Sequence, residues 1–241
     1  MKLSVIIPTK NEERCLPALL KQLKEQTLQP FEVIIADAKS EDRTVEIAKR
    51  SGAKVVDGGL PGPGRNAGAR AAKGDLLLFL DADISLNDPH QLQRAVHQFE
   101  KRALDIATVD IAPANGNSYD RFSHKIYSVY VRLWGSRNAH APGFFILVRR
   151  SLHNTIEGFD ETVLFCEDHD YAKRGSKKGK FGILEDVPVH VSVRRMDRDG
   201  RMNIAIKFLL AELHLIFLGP IRHDKFNYTF GHNLEKYGRK K

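Results

Sequence analysis

The chain has 241 residues, a formal net charge of +8, a pI near 9.4, 42% apolar residues and 28% charged residues. It can bury a sizeable core as one large domain or two small ones, and its positive charge favours an anionic partner. Two cysteines without paired spacing, Cys15 and Cys166, exclude a disulfide framework and a cysteine zinc site, and no stretch reaches the ~18 to 20 uninterrupted apolar residues of a membrane span.

Met1-Lys2-Leu3-Ser4 runs straight into a strand without a signal peptide, so a cytoplasmic protein with reduced cysteines is expected, at most peripheral at the inner face of the membrane. Ser4–Ile7 reads as a short buried strand stopped by Pro8-Thr9. Leu16, Leu19, Leu20 and Leu23 recur at helical spacing, with Asn11 or Glu12 near the helix start and Pro17 tolerated in its first turn. Phe31–Ala36 is a second strand ending in Asp37; Ser40 and Asp42 are placed to cap a helix through Lys49, closed by Gly52. Val55-Val56 is a minor strand. Gly58–Gly64 reads as a rigid loop leading into a helix from Arg65 to Ala72, ended by Gly74.

Leu76–Leu80, five large apolar residues in a row, predicts a strand buried on both faces. The β-α-β-α-β rhythm up to this point predicts right-handed crossovers and a mostly parallel, Rossmann-like sheet flanked by helices. Such a sheet binds ligands at the carboxyl ends of its strands. Asp81-Ala82-Asp83 sits at that edge, and two carboxylates so close repel unless a cation lies between them. All-oxygen ligation suits Mg²⁺ or Mn²⁺ together with a substrate diphosphate.

Gly62-Pro63-Gly64-Arg65-Asn66-Ala67 fits a loose dinucleotide fingerprint, but no buried strand precedes its first glycine, which argues against a dehydrogenase. Arg65 and Asn66 remain candidates for donor contact, because N–H groups at a helix start favour anions.

Beyond Asp83, Asp88-Pro89 predicts a helix start running to about Arg102, and Asp105–Ile111 a strand. Ala112–Ser118, with Pro113, Asn115, Gly116 and Asn117, reads as loop. Phe122, Ile126, Val129, Tyr130 and Leu133 predict a helix ending near Trp134-Gly135, its apolar stripe facing the core. Gly143–Val148 is a further buried strand ending in Arg149-Arg150. Glu167-Asp168-His169-Asp170 opens a short helix, where the acids either favour the positive end of its dipole or supply a general base. Val187–Val193 alternates as a strand and ends in Arg194-Arg195; His190 beside that basic pair would suit a diphosphate–metal complex, the guanidinium groups facing the leaving group. No linker or internal repeat divides the chain.

Taken in order, Ser4–Glu12, Asp37, Gly64–Gly68, Asp81-Ala82-Asp83, Gly143-Phe144-Phe145, Phe159-Asp160-Glu161 and Glu167–Asp170 resemble family 2 glycosyltransferases of the GT-A fold. The match runs from Ser4 to about Arg195. The resemblance implies inverting transfer of a sugar from a nucleotide diphosphate sugar to a hydroxyl acceptor, with Mg²⁺ or Mn²⁺ as cofactor. By its pattern Pro8, Thr9 and Glu12 hold the nucleoside, Asp37 the base and Arg65 the donor. Asp83 is the principal metal ligand, Asp81 faces ribose or metal, and His190 is a further ligand. Asp168, with Glu167 beside it, is the catalytic base. Ala82 lies on the donor side, and Gly143 and Phe144 on the acceptor side. Ala38-Lys39-Ser40 stand where a second Asp and a Gly usually follow Asp37, which leaves the nucleobase open.

The expected organisation is a transferase domain over residues 1–200, donor half 1–110 and acceptor half 111–200, followed by a helix and basic tail over 201–241. Asn203–Leu218 is apolar on nearly all sides, broken by Lys207, Glu212 and His214, and the tail carries Arg222, Lys225, Lys236, Arg239, Lys240 and Lys241 against Asp224 and Glu235. That pairing suits docking on an anionic membrane and a lipid-linked acceptor, or packing on the core or a second subunit. A sugar-phosphate nucleotidylyltransferase is the alternative enzyme, but its N-terminal glycine-rich loop with Arg and Lys is absent. A non-catalytic basic nucleotide-binding protein is the other alternative. No RNA-binding motif appears, so no nucleic-acid partner is expected.

Overall fold

The computed structural model describes residues 1–114, 117–135, 139–223 and 226. Chain order begins β1 (Leu3–Thr9), α1 (Leu16–Lys24), β2 (Glu32–Asp37), α2 (Thr44–Arg50), β3 (Lys54–Asp57), α3 (Pro61–Ala71) and β4 (Leu76–Leu80). It continues β5 (Ile84–Ser85), α4 (Gln91–Lys101), β6 (Ile106–Pro113), α5 (Ser118–Trp134), β7 (Phe145–Arg149) and α6 (Arg150–Thr155). The last elements are α7 (Glu167–Ser176), β8 (Phe181–Val191), α8 (Arg194–Asp199) and α9 (Arg201–Phe217).

Among the described residues eight strands form one sheet in the order β3-β2-β1-β4-β7-β6-β8-β5. The first four run parallel, as the β-α rhythm requires, and β6 is parallel to β8. β7 enters antiparallel between β4 and β6, and β5 lies antiparallel on β8. The central strand β4 is buried at every residue. Its Leu76, Leu78 and Leu80 join a cluster with α1 and α4 on one face, while Leu77 and Phe79 join α6 and α7 on the other. Each such leucine contributes about 1.5–3 kcal/mol relative to exposure. This is the two-faced burial that a continuous apolar run encodes.

Several boundaries differ from expectation for physical reasons. The Gly58–Gly64 stretch is not all loop: α3 begins at Pro61, where a proline loses no intrahelical bond, and Gly64 N–H donates to Leu60 C=O at 2.8 Å. Its glycines bring α3 against the sheet. A Cβ on Gly68 would lie 2.3 Å from Ile6 Cγ2, and one on Gly64 3.3 Å from Pro8 Cβ. α4 starts three residues after Asp88, whose carboxylate instead accepts from His90 N–H in the preceding turn. β6 extends through Pro113, into the expected loop, because β8 continues beside it; Asn115 and Gly116 lie outside the described residues. β8 starts at Phe181 and stops at Val191, and the exposed Glu185-Asp186, with Asp186 at φ 54°, hides its length from the alternation pattern.

The largest correction concerns α5. The helix forms, capped by reciprocal Asn117 and Asp120 hydrogen bonds, but its apolar stripe faces outward: Phe122 is 63% and Leu133 82% exposed, while Asp120 and His124 are buried. Among the described residues no helix is long and apolar enough to cross a membrane.

Candidate active site

Strand pairing alone assembles the cleft. The register Leu80↔Phe145 sets Asp81, just past β4, beside Gly143-Phe144, just before β7. Ile84↔Val191 pairs the residue after Asp83 with the end of β8, so that Ser192 N–H donates to Asp83 C=O at 3.2 Å and Arg194 follows beside Asp83. α3 and α7 add their N-terminal turns. The result is a cleft of about 830 Å³ lined by Pro8, Thr9, Glu12, Arg65, Asp81–Asp83, Gly143, Phe144, Glu167, Asp168, Arg194 and Arg195, among others.

Arg65 is 2% exposed and joins the two acidic clusters. Its Nη1 donates to Glu167 Oε1 at 2.6 Å and its Nη2 to Asp81 Oδ1 at 2.8 Å. Burial opposes its charge, but Asp81 and Glu167 hold the guanidinium above even its ordinary range. Gly143 is glycine for a reason visible here: a Cβ would sit 2.2 Å from Arg65 Nη2. Glu167 is buried and its carboxylate is paired with Arg65. Asp168 is different. Gly143 N–H donates to its Oδ2 at 2.7 Å and His169 N–H to its Oδ1 at 2.9 Å, which orients the carboxylate toward the cleft without a side-chain cation bonded to it. Burial raises the carboxyls of both Glu167 and Asp168. The helix bearing them starts from Cys166 in a left-handed conformation, φ 58°, a strain that costs about 1–3 kcal/mol and turns the acids inward.

At the other end Arg194 Nη2 lies 2.8 Å from both oxygens of Glu12 and 3.3 Å from Asp83 Oδ2. Burial pushes the Glu12 carboxyl up to about 7 despite Arg194, and raises Asp83 likewise. Three carboxylates, Glu12, Asp81 and Asp83, therefore line this end with oxygen donors, Arg194 spanning Glu12 and Asp83 while Arg65 holds Asp81. That donor chemistry fits a hard divalent cation.

Three expected site residues do not reach the cleft. Asn66 is buried and clamps the Phe159 backbone, its Nδ2 donating to Phe159 C=O and its Oδ1 accepting from Phe159 N–H, both at 2.8 Å. Asp37 is 6% exposed and its carboxylate is taken by Thr9 Oγ1, Ser40 Oγ and Ser40 N–H. His190 does not join Asp81 and Asp83: Val189 and Val191 take the core side of β8, and His190 Nδ1 lies 3.4 Å from Asn87. The sequence reading missed the opposite wall, made by Tyr119, His124 and Tyr127 of α5, Phe165, and Ile204 and Phe208 of α9. The polar residues of α5 at helical spacing were the available signal.

A profile of glycosyl transferase family 2 matches residues 4–157. The 4,4'-diaponeurosporenoate glycosyltransferase of Staphylococcus haemolyticus is 38% identical over 109 residues, 42% of this chain and 29% of that protein. The poly(ribitol-phosphate) beta-N-acetylglucosaminyltransferase TarS of Staphylococcus aureus is 30% identical over 208 residues, 81% of this chain and 36% of that one. The chain therefore spans about a third of the length of these curated relatives. Among solved structures, the mannosyltransferase PcManGT of Pyrobaculum calidifontis, in complex with GDP-Man and Mn²⁺, superposes with a TM-score of 0.66 at 20% identity, covering 90% of this chain and 70% of that one. That likeness speaks for the fold.

The Arg65 junction is testable by stability. Arg65→Met leaves Glu167 buried without its cation, and breaking such a pair costs about 3–5 kcal/mol. Urea unfolding should show that loss; an unchanged midpoint would mean that the junction carries no weight.

Proposed function

The chain belongs to glycosyl transferase family 2 and has the GT-A fold, and from that premise we propose that it is an inverting glycosyltransferase that moves a sugar from a nucleotide diphosphate sugar to a hydroxyl acceptor. The observation that carries the proposal is the division of the cleft into two acidic ends joined by Arg65. One end, Glu12 with Asp81 and Asp83, suits a diphosphate with its cation; the other presents Asp168 alone as an oriented base. Residues 1–110 serve as the donor half, 111–200 as the acceptor half and 201–241 as an extension.

In this mechanism Pro8, Thr9 and Lys39 wall the nucleoside end, and Asp81–Asp83 face the diphosphate. Asp83 with Asp81 would hold Mg²⁺ or Mn²⁺, which would supply positive charge to stabilise the departing diphosphate. Asp168 takes the proton of the acceptor hydroxyl as its oxygen bonds the anomeric carbon and the bond from that carbon to the diphosphate oxygen breaks. Arg194 and Arg195 face the negative charge that leaves. Because burial raises the Asp168 carboxyl, the acid limb of the rate profile belongs above the usual carboxylate range, activity being lost as pH falls through it. Asp168→Asn should lower turnover by about 10²- to 10⁴-fold with nucleotide affinity retained. Wild-type turnover in that variant would remove Asp168 from the mechanism.

The acceptor is proposed to be lipid-linked and the protein to dock on an anionic bilayer. α5 and α9 lie side by side, joined by Arg201–Asp120 at one end and Tyr130–Glu212 at the other. Both carry exposed apolar residues, including Phe122, Ile126 and Leu133 on α5 and Leu209, Leu213 and Phe217 on α9. Their acids, Asp120 and Glu212, turn inward into pairs, whereas Arg121 and Lys125 stay exposed. The platform is therefore apolar with a basic fringe, the complement of an anionic membrane surface. Tyr119 and Phe208 belong both to this surface and to the cleft wall, which gives an apolar route to Asp168. Of the basic tail expected to assist, Lys225 and residues 227–241 lie outside the described residues. Full-length protein should float with phosphatidylglycerol vesicles, release at high salt, and lose flotation on Phe122→Ser with Leu133→Ser. Failure to float, with a mass of two chains in solution, would assign the platform to a second copy instead.

A further inference from the structure

We propose that His140, His169 and Glu212 form a second cation site, separate from the carboxylates of the donor end, that takes a divalent transition metal of the zinc class. The three side chains come from three separate segments, the stretch before β7, α7 and α9, and their ligand atoms all lie within 4.8 Å of one another. His140 is 3% exposed. Its Nε2 is 3.2 and 3.1 Å from the two oxygens of Glu212, and its ring meets that of His169 edge to face with centroids 4.7 Å apart. Two imidazoles and one carboxylate make the mixed nitrogen and oxygen set that zinc accepts with a fourth position open. The all-oxygen set at Glu12, Asp81 and Asp83 suits a harder ion, so the two sites differ in chemical class. Zinc holds such ligands at about 2.0–2.2 Å, so binding draws the three side chains inward from the present spread.

The surroundings are those of a supported ligand set. Tyr130 OH donates to Glu212 Oε1 at 2.5 Å, and Tyr127 OH lies 3.3 Å from His169 Nε2. Outer partners of this kind fix the orientation of ligating carboxylates and imidazoles. Without an ion, His169 keeps Nδ1 buried with no hydrogen-bond partner, a state that native interiors rarely leave uncompensated. A purely hydrogen-bonded network explains the His140–Glu212 contact but not that orphaned nitrogen.

The site also has a consequence for the cleft. His169 follows Asp168 directly and its backbone N–H holds Asp168 Oδ1, while Glu212 belongs to the helix that closes the acceptor wall. An ion here would fasten α9 to the turn that carries the base. This positioning role rests on the transferase reading above; the binding site itself does not, and its test reads binding alone.

The experiment uses the full-length chain carrying Asp83→Ala, stripped with chelator and titrated with Co²⁺. A visible d–d absorption band saturating at one equivalent and displaced by Zn²⁺ is expected, with Zn²⁺ also raising the thermal midpoint. His140→Gln and Glu212→Gln, which keep hydrogen-bonding capacity, should each abolish the band in the same background, with folding checked by circular dichroism. Absence of both the band and the thermal shift in the parent chain would overturn the proposal, and this holds whether or not the substituted chains fold. So would a band that survives both substitutions.

Discussion

The Arg65 guanidinium, buried between Asp81 and Glu167, is the interaction on which the rest of the site depends. A buried charge is tolerated only when paired, and here the two partners belong to the end of β4 and the start of α7, Glu167 lying 102 residues from Arg65. The pairing ties the two acidic clusters together and sets them apart: Glu167 is bonded to Arg65, whereas Asp168 is held by backbone N–H groups and lines the cleft. Arg65 reaches that position because the glycines of α3 allow the helix to press on β1, and because Gly143 leaves room for its Nη2.

Much of this was legible in the sequence. The unbroken Leu76–Leu80 run announced a strand with two buried faces, and the acids after it marked the ligand edge of a parallel sheet. The order of motifs around it carried the family. The residues that do not reach the cleft are each held elsewhere, for different reasons. Asn66 looked like a helix-start anion contact, yet its amide is complementary to the Phe159 backbone, 93 residues on. Asp37 has its partners from β1 and the following turn. His190 is separated from Asp83 by the alternation of β8, whose Val187, Val189 and Val191 take the core side.

α5 teaches a different lesson. Helical periodicity reveals that an apolar stripe exists but not which way it points. In an ordinary helix of this kind the stripe faces the core; here Asp120 is bound by Arg201 and His124 Nδ1 lies 2.7 Å from Asp120 C=O, so the polar face is the satisfied, inward one. On α9 the inward residues are Ile204, Ala211 and the half-buried Leu215, with Glu212 drawn in by His140 and Tyr130, while Leu209, Leu210 and Leu213 stay exposed. Exposed apolar residues on two adjacent helices are costly in water, and they tie this wall of the cleft to whatever covers that surface.

At the other end of the cleft the counterpart of Arg65 is Arg194, which spans Asp83 and Glu12, the latter 182 residues away in sequence. Glu12 and Asp83 are both held above the usual carboxylate range by burial, which is the condition a divalent cation would relieve. Anomalous scattering from crystals of the full chain grown with Mn²⁺ and a nucleoside diphosphate tests this directly. The account requires a manganese peak beside Asp83 with Arg194 withdrawn from its bridge toward the diphosphate. A bound diphosphate with no peak at Asp83, and Arg194 still lying across Glu12 and Asp83, would contradict it.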